Sequence, residues 1–232
     1  MSRYKVLLFD ADRTLFDFDG AERIAFGKVM RSFGIQYDEE DFIRYRDNNL
    51  RLWAMFEQGG ITKDELLTRR FDEFLATLDP VPCVDGKTAN AAYLEALADG
   101  SQLFDGALEL CRELSEKHEL YIVTNGVSRT QKKRFYASPI REYFRDIFVS
   151  EDAGAPKPMK AYFDYVFSMI GEDNRACSVI IGDSLPNDIK GGNMAGIDTV
   201  WYAPGGKIND TDIIPTVTVA SYDELAEWLK NS

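Results

Sequence analysis

Six short apolar runs constrain this chain more than any other feature: Tyr4–Phe9, Leu120–Val123, Ile147–Val149, Val179–Ile181, Thr199–Tyr202 and Thr216–Val219. They are rich in β-favouring residues and nearly continuous in hydrophobicity, the pattern of strands buried on both faces. Segments of helical period separate several of them. Ala107, Leu110, Cys111 and Leu114 recur at i, i+3, i+4 and i+7, as do Phe163, Val166, Phe167 and Ile170. A last helix is expected from Ser221, with Glu224 three residues on completing a capping box. Strands of this kind alternating with helices pack as a parallel sheet between two helical layers.

The expected fold class is therefore α/β, a Rossmann-like parallel sheet core flanked by helices, with one interruption. From about Asp19 to Gly100 the chain has helical signals and no strand. Phe26, Val29, Met30 and Phe33 form one stripe, stopped by Gly34, and a second helix ends at Gly59-Gly60. Thr62 with Glu65 caps a third, striped by Leu67, Phe71, Phe74, Leu75 and Leu78, and a fourth runs from Lys87 to Ala98. This predicts a helical insertion at 18–102 in a core made of 1–17 and 103–232, with linkers near 16–20 and 100–105.

Charge and composition exclude several functions. With 27 Lys+Arg against 39 Asp+Glu the formal charge is −12, which argues against binding nucleic-acid backbones. No apolar run reaches the roughly 20 residues of a membrane span, and no secretory signal precedes the first strand. Cys83, Cys111 and Cys177 lack metal-ligand or redox spacing and read as reduced thiols, so a cytoplasmic location is expected. The single histidine, His118, falls at a predicted helix end, where it would cap carbonyls.

Ligands of open α/β sheets sit beyond the carboxyl ends of the strands. Four polar constellations fall there: Asp10-Ala11-Asp12-Arg13-Thr14, Thr124-Asn125-Gly126, Lys157-Pro158, and Gly182-Asp183-Ser184 with Asp188. Singly, each could be an ordinary turn or helix start. Together they describe phosphoryl chemistry. Two carboxylates at i and i+2 on an extended chain lie roughly 6–7 Å apart on one side and can bracket a phosphoryl group. Asp10, ionised at neutral pH, would attack phosphorus, and Asp12 would give a proton to the leaving alkoxide and take one from the hydrolytic water. So many acids facing a phosphate need a divalent cation. Asp10 and Asp183 offer the hard oxygens that suit Mg²⁺, with Mn²⁺ or Co²⁺ as alternatives. Lys157 would add charge opposite the metal, while the Thr124 hydroxyl and nearby backbone N–H groups donate to phosphate oxygens. Asp17, Asp19 and Glu151 read as linker or rim charges.

This set resembles the haloacid dehalogenase superfamily, whose motifs are an aspartate pair after the first strand, a Ser/Thr, a Lys and a late acidic pair. The resemblance covers essentially the whole chain, including a helical cap after the first motif. It implies Asp10 as nucleophile and metal ligand, and Asp12 as acid/base that ligates through its backbone carbonyl. It further implies Thr124, Asn125, Gly126 and Lys157 on phosphate, with Asp183 and Asp188 on metal, the latter directly or through water. Arg13 departs from the Gly or Glu of that pattern, and its cation beside Asp12 would favour the ionised acid. The stretches "FDADRTLFDFD", "LWAMFEQGGIT", "IVTNGVSRTQ" and "GDSLPNDIKGGNMAGIDTVWY" resemble the pyrimidine 5′-nucleotidase branch. Within the similar segment "DNNLRLW", Asn48, Asn49, Arg51 and Trp53 are candidates for base or sugar contact, although Trp53 reads first as a cap-core residue. The implied partner is a small phosphomonoester, with a sugar phosphate or phosphoglycolate as the alternative to a nucleotide. A dehalogenase would need neither Asp12 nor a metal. A phosphoacceptor switch would place its aspartate after a middle strand and lack the insertion.

Overall fold

The structure is a computed structural model and describes residues 3–232. The chain divides into two compact units, Met1–Phe18 with Ser101–Ser232, and Asp19–Gly100.

The first unit is built on six strands: β1 (Val6–Phe9), β2 (Glu119–Thr124), β3 (Phe144–Val149), β4 (Ser178–Gly182), β5 (Asp198–Tyr202) and β6 (Val217–Val219). Their order is β3-β2-β1-β4-β5-β6, and every neighbouring pair is parallel. All six apolar runs are strands. Most begin a residue or more away from the apolar boundary, because edge positions such as Glu119, Ser178 and Asp198 pair in the ladder without being hydrophobic. Alternation sends the side chains of one strand into two cores. Leu7 and Phe9 join Leu120, Ile122, Val179 and Ile181 on one face, while Val6 and Leu8 join Val123 and Ile180 on the other.

Helices close both faces. The first core takes Ala107, Leu110, Cys111 and Leu114 from the helix Ala107–Ser115 and Leu225 and Leu229 from the helix Tyr222–Asn231. The second takes Tyr162, Phe163, Val166 and Phe167 from the helix Lys160–Ile170. The last helix starts at Ser221 as expected, with its hydroxyl accepting from the Glu224 N–H, but the return bond of the capping box goes to Ala220 N–H instead. His118 does not cap its helix: its Nδ1 sits 2.8 Å from the Tyr4 carbonyl, at the foot of β1. Among the described residues no helix is long and apolar enough to cross a membrane.

The second unit is all helical: α1 (Phe18–Ser32, whose first residue belongs to the sheet unit), α2 (Glu39–Glu57), α3 (Lys63–Leu75) and α4 (Gly86–Ala98). Its centre is aromatic. Phe26 lies 4.8 Å from Tyr45 and 5.2 Å from Phe74, and Tyr45 lies 4.9 Å from Phe71, ring centre to ring centre. Thr62 and Glu65 form the reciprocal capping box expected of α3. Three details differ from the expectation. The residues expected to link the units at 16–20 already contain the start of α1. Phe33 lies beyond α1 and stays exposed. The buried stripe of α3 is Leu66, Arg70, Phe71, Phe74 and Leu75, because a buried arginine occupies one core position and disguises the phase of the stripe.

Candidate active site

The chain enters the sheet at its centre with β1, adds β2 and β3 on one side, then returns to add β4 to β6 on the other. The reversal leaves a crevice between the carboxyl ends of β1 and β4, with β2 alongside. Asp10, Thr124 and Asp183 each follow the last or next-to-last residue of one of these strands or close it.

One oxygen each from Asp10, Asp183 and Asp188 fall within 4.8 Å of one another. Into this group comes Lys157, almost wholly buried, its ammonium donating to Asp10 Oδ1 at 2.7 Å, Asp188 Oδ1 at 2.7 Å and the Val123 carbonyl at 2.8 Å. All three of its donors are therefore taken. An incoming phosphate oxygen could claim one only by displacing an acid. Burial would lower the lysine's affinity for its proton, but the charges of Asp10 and Asp188 more than reverse this and raise it. The acids feel the opposite pressure. Burial, helped by Asp188 and Asp12 against Lys157, pushes Asp10 up to about 7. Burial and Asp10 push Asp183 up to about 6, opposed by Lys207, Arg13 and Lys157, and burial raises Asp188 as well. The ionised Asp10 expected from its reference value of about 3.9 is thus not the easy state of the buried group.

Asp12 is elsewhere. The chain does not stay extended after Asp10 but turns: Leu15 and Phe16 N–H both reach the Ala11 carbonyl, and Asp12 bridges to Phe16. Its carboxylate points to the helix Ser128–Ala137, accepting from Arg134 Nη1 at 2.5 Å on one oxygen and Gln131 Nε2 at 2.5 Å on the other. Arg134 is thus a cation bonded to Asp12. Arg13 stacks its guanidinium 4.8 Å from the Phe18 ring, and its charge is felt at Asp183. Its backbone has φ +62°, a left-handed conformation that favours glycine, which is why the resembling pattern admits Gly there.

The other candidates have distinct tasks. Thr124 N–H donates to the Tyr162 hydroxyl at 3.0 Å and Gly126 N–H donates to Thr124 Oγ1 at 3.1 Å. Neither N–H is left for phosphate, but the Thr124 hydroxyl proton still has to find an acceptor. Asn125 spends both ends of its side-chain amide on the Lys157 backbone, accepting from its N–H at 2.8 Å and donating to its carbonyl at 2.9 Å. Its side chain is a clamp on the Lys157 loop, which leaves the backbone N–H of Asn125 as its route to a phosphate. Asp188 accepts from Lys157 and, through Oδ2, from Ser184 N–H at 3.1 Å. It can pack so tightly because Gly182 has no side chain: a Cβ there would lie 2.2 Å from Asp188 Oδ2. Glu151 accepts from Ser128 N–H at 3.0 Å, so this rim charge also caps a helix.

Sequence reasoning gave no role to Thr14, whose hydroxyl lies 3.2 Å from Asp10 Oδ2, although it stands in the first motif. It also missed Gln131, Arg134 and Lys207, the last 3.6 Å from Asp183 Oδ2. In the helical unit, Asn49 is buried and donates to Glu22 at 2.8 Å, and Asn48 donates to the Arg70 carbonyl at 3.3 Å. Arg51 pairs with Glu73, and Trp53 is half-buried against Phe56 at 5.7 Å.

The profile of haloacid dehalogenase-like hydrolases matches residues 7–202. The HAD-hydrolase YfnB of Bacillus subtilis is 44% identical, over 97% of this chain and 95% of its own length. A crystal structure of YfnB bound to magnesium superposes with a TM-score of 0.92 at 43% identity, covering 98% of this chain and 99% of that one. The pyrimidine 5′-nucleotidase PynA of Streptococcus pneumoniae is 36% identical over 97% of this chain and 95% of its own. The pyrimidine 5′-nucleotidase YjjG of Escherichia coli is 33% identical over 96% of each. Motif positions, sheet order and whole-length similarity agree, and the chain belongs to the haloacid dehalogenase-like hydrolases.

Proposed function

We propose that this hydrolase is a Mg²⁺-dependent phosphomonoesterase acting through an aspartyl-phosphate, with pyrimidine nucleoside 5′-monophosphates as its substrates and the insertion at 18–102 as its cap domain. The observation that carries the reading is the surplus of acid: Asp10, Asp183 and Asp188 converge on one lysine at the switch point of the sheet. Buried acids at this density are strained toward protonation, and a divalent cation reverses that strain. The residues fit a hard ion: Asp10 and Asp183 would hold it with their converging oxygens, Asp188 would do so directly or through water, and the family resemblance adds the Asp12 carbonyl. Mn²⁺ or Co²⁺ would meet the same oxygens. When bound, the ion supplies positive charge that keeps Asp10 ionised and offsets the charge of the phosphate.

The chain's own groups do the rest. Lys157 and the Thr14 hydroxyl each hold one oxygen of Asp10, which orients the carboxylate. An Asp10 oxygen forms the bond to phosphorus as the ester P–O bond breaks. The departing alkoxide takes a proton from Asp12. Water then gives a proton back to Asp12 and attacks phosphorus, which releases phosphate and restores Asp10. Thr124 donates its hydroxyl proton to a phosphate oxygen. The similarity to two pyrimidine 5′-nucleotidases along nearly the whole chain supports the substrate class.

The test is release of inorganic phosphate across a panel of nucleoside monophosphates, sugar phosphates, phosphoglycolate and p-nitrophenyl phosphate, beside halide release from 2-haloacids. Pyrimidine monophosphates should be turned over with the highest kcat/KM, only with Mg²⁺ present. Preference for a sugar phosphate would replace the substrate, and halide release without metal would replace the reaction.

A further inference from the structure

The helix Ser128–Ala137 reads as a polar surface helix, yet Arg134 is fully buried and Gln131 nearly so. Both point at Asp12. Gln131 gives Nε2 to one carboxylate oxygen and Arg134 gives Nη1 to the other, and Arg134 Nη1 also lies 3.3 Å from Gln131 Oε1. The guanidinium is held from behind by aromatic faces, 4.9 Å from the Phe16 ring and 6.0 Å from the Phe18 ring. A second observation, on a different segment, belongs to the same construction. A Cβ on Gly126 would lie 2.1 Å from Gln131 Nε2 and 2.5 Å from its Cγ. The glycine after Thr124-Asn125 is thus the gap through which Gln131 reaches Asp12.

We propose that Gln131 and Arg134 are positioning residues for the Asp12 carboxylate, seating one oxygen each, and that Gly126 provides the clearance for this cradle. This rests on the reading of Asp12 as the group that gives its proton to the leaving oxygen. These two bonds hold a short side chain on a turn in one orientation, and misplacement by an ångström is enough to cost a large part of such a transfer. Two donors from one helix turn, at i and i+3, fix both the plane and the direction of the carboxylate.

Leaving-group dependence separates positioning from mere support, since a support role alters the amount of folded enzyme and lowers all substrates alike. Gln131→Met fills the same space without the donor. It should lower kcat on a nucleoside monophosphate, which leaves as a poor alkoxide, by about 10- to 100-fold. On p-nitrophenyl phosphate, which leaves as a stable phenolate, the loss should be within about threefold. KM should change little on either. Gly126→Ala should do the same with Gln131 intact, and the double variant should be no worse than the poorer single one. Arg134→Lys, which keeps the charge but not the fork, should recover part of what Arg134→Met loses. Equal losses on both substrates, additive Gly126 and Gln131 effects, or no recovery by lysine would overturn the proposal. The parent reading fails separately: wild-type protein that releases no phosphate from any ester, or Asp12→Asn that lowers both substrates equally, removes Asp12 from proton transfer and takes this inference with it. If Asp12→Asn shows the leaving-group dependence and Gln131→Met does not, only the cradle is wrong.

Discussion

Each unit of this protein buries a polar cluster, and the two are built on opposite principles. At the strand ends three carboxylates, Asp10, Asp183 and Asp188, share one ammonium. In the helical unit one carboxylate and one guanidinium are joined by amides. Asn49 donates to Glu22 at 2.8 Å and accepts from Arg70 at 3.4 Å, while Arg70 also donates to Asn90 at 3.0 Å and lies 4.5 Å from the Tyr93 ring. The second cluster balances its charge; the first does not, and its acids are pushed upward by burial and by one another. Balance marks a group of residues that serves the fold. A surplus of one sign, kept at the cost of stability, marks a place that waits for something of the other sign.

The most forceful way to break the comparison is to neutralise one member of the unbalanced cluster. Asp10→Asn should reduce turnover by at least about 10³-fold, since no other group is placed to form the covalent intermediate. It should leave the metal-free protein about as stable as before, because Lys157 keeps Asp188 and the fold loses a repulsion along with an attraction. Phosphate release and thermal melting, measured together, check both halves. A large loss of stability would mean that the acids are structural after all.

The balanced cluster should respond the other way. Arg70→Met removes the cation from a dry site, takes the donors from the Asn49 and Asn90 side-chain oxygens and leaves the buried Glu22 charge unbalanced, a loss of about 3 kcal/mol in chemical denaturation. Glu22→Leu together with Arg70→Met should recover part of it, since the pair of changes removes both buried charges and leaves only the Asn49 and Asn90 amides to find new partners.

Magnesium gives the next effect. Only the unbalanced cluster should respond, with a gain in stability of about 2.7 kcal/mol at a hundredfold excess over the dissociation constant. Asp183→Asn should forfeit this gain and Arg70→Met should retain it. Melting curves with Mg²⁺ and with EDTA distinguish the two.

Much of this was legible in the sequence for a physical reason. Strands buried on both faces must be apolar throughout, so six of them stand out, and groups that close such strands must lie at the crevice. The rest was hidden where one residue does two things or where a face is chosen by tertiary contact. Arg70 is a cation in an apolar stripe, and it moved the reading of α3 by one residue, to Leu67 in place of Leu66. In "SRTQKKRFYA" four cationic residues stand on one short helix, and periodicity does not say that Arg134 turns inward while its neighbours Lys132 and Lys133 do not. Asn48 and Asn49 are adjacent and alike, yet only Asn49 is fully buried. The spacing of Asp10 and Asp12 does not say that a turn over 11–16 brings the Asp12 carboxylate onto donors of the helix Ser128–Ala137.

The smallest expected effect comes from a buried ionisable group that belongs to neither cluster. His118 is buried with its Nδ1 on the Tyr4 carbonyl, and burial lowers its pKa against the help of that bond. The charged groups that share its cleft are Glu113 and Lys117 from its own helix and the turn after it, and Lys230 from the C-terminal helix. Glu113 and Lys230 are paired with each other at 2.9 Å, and Lys117 adds to the lowering. A histidine whose folded pKa lies below its unfolded one binds its proton first in the unfolded chain. Stability from the neutral ring is therefore complete above the unfolded value, about 6.5, and is lost as the pH falls below it. Among the described residues no acid is bonded to this ring to favour its charged state, so unlike Lys157 it should simply resist protonation. The measurement is the difference in Tm between pH 8 and pH 5.5, taken for wild type and for His118→Gln. The many carboxylates contribute to both proteins alike, so subtraction isolates the ring. Wild type should lose more on acidification, by no more than about 3 °C. Identical pH profiles would show that the imidazole pays nothing for its burial, and that uncompensated burial alone is not what sets the acids at the strand ends apart.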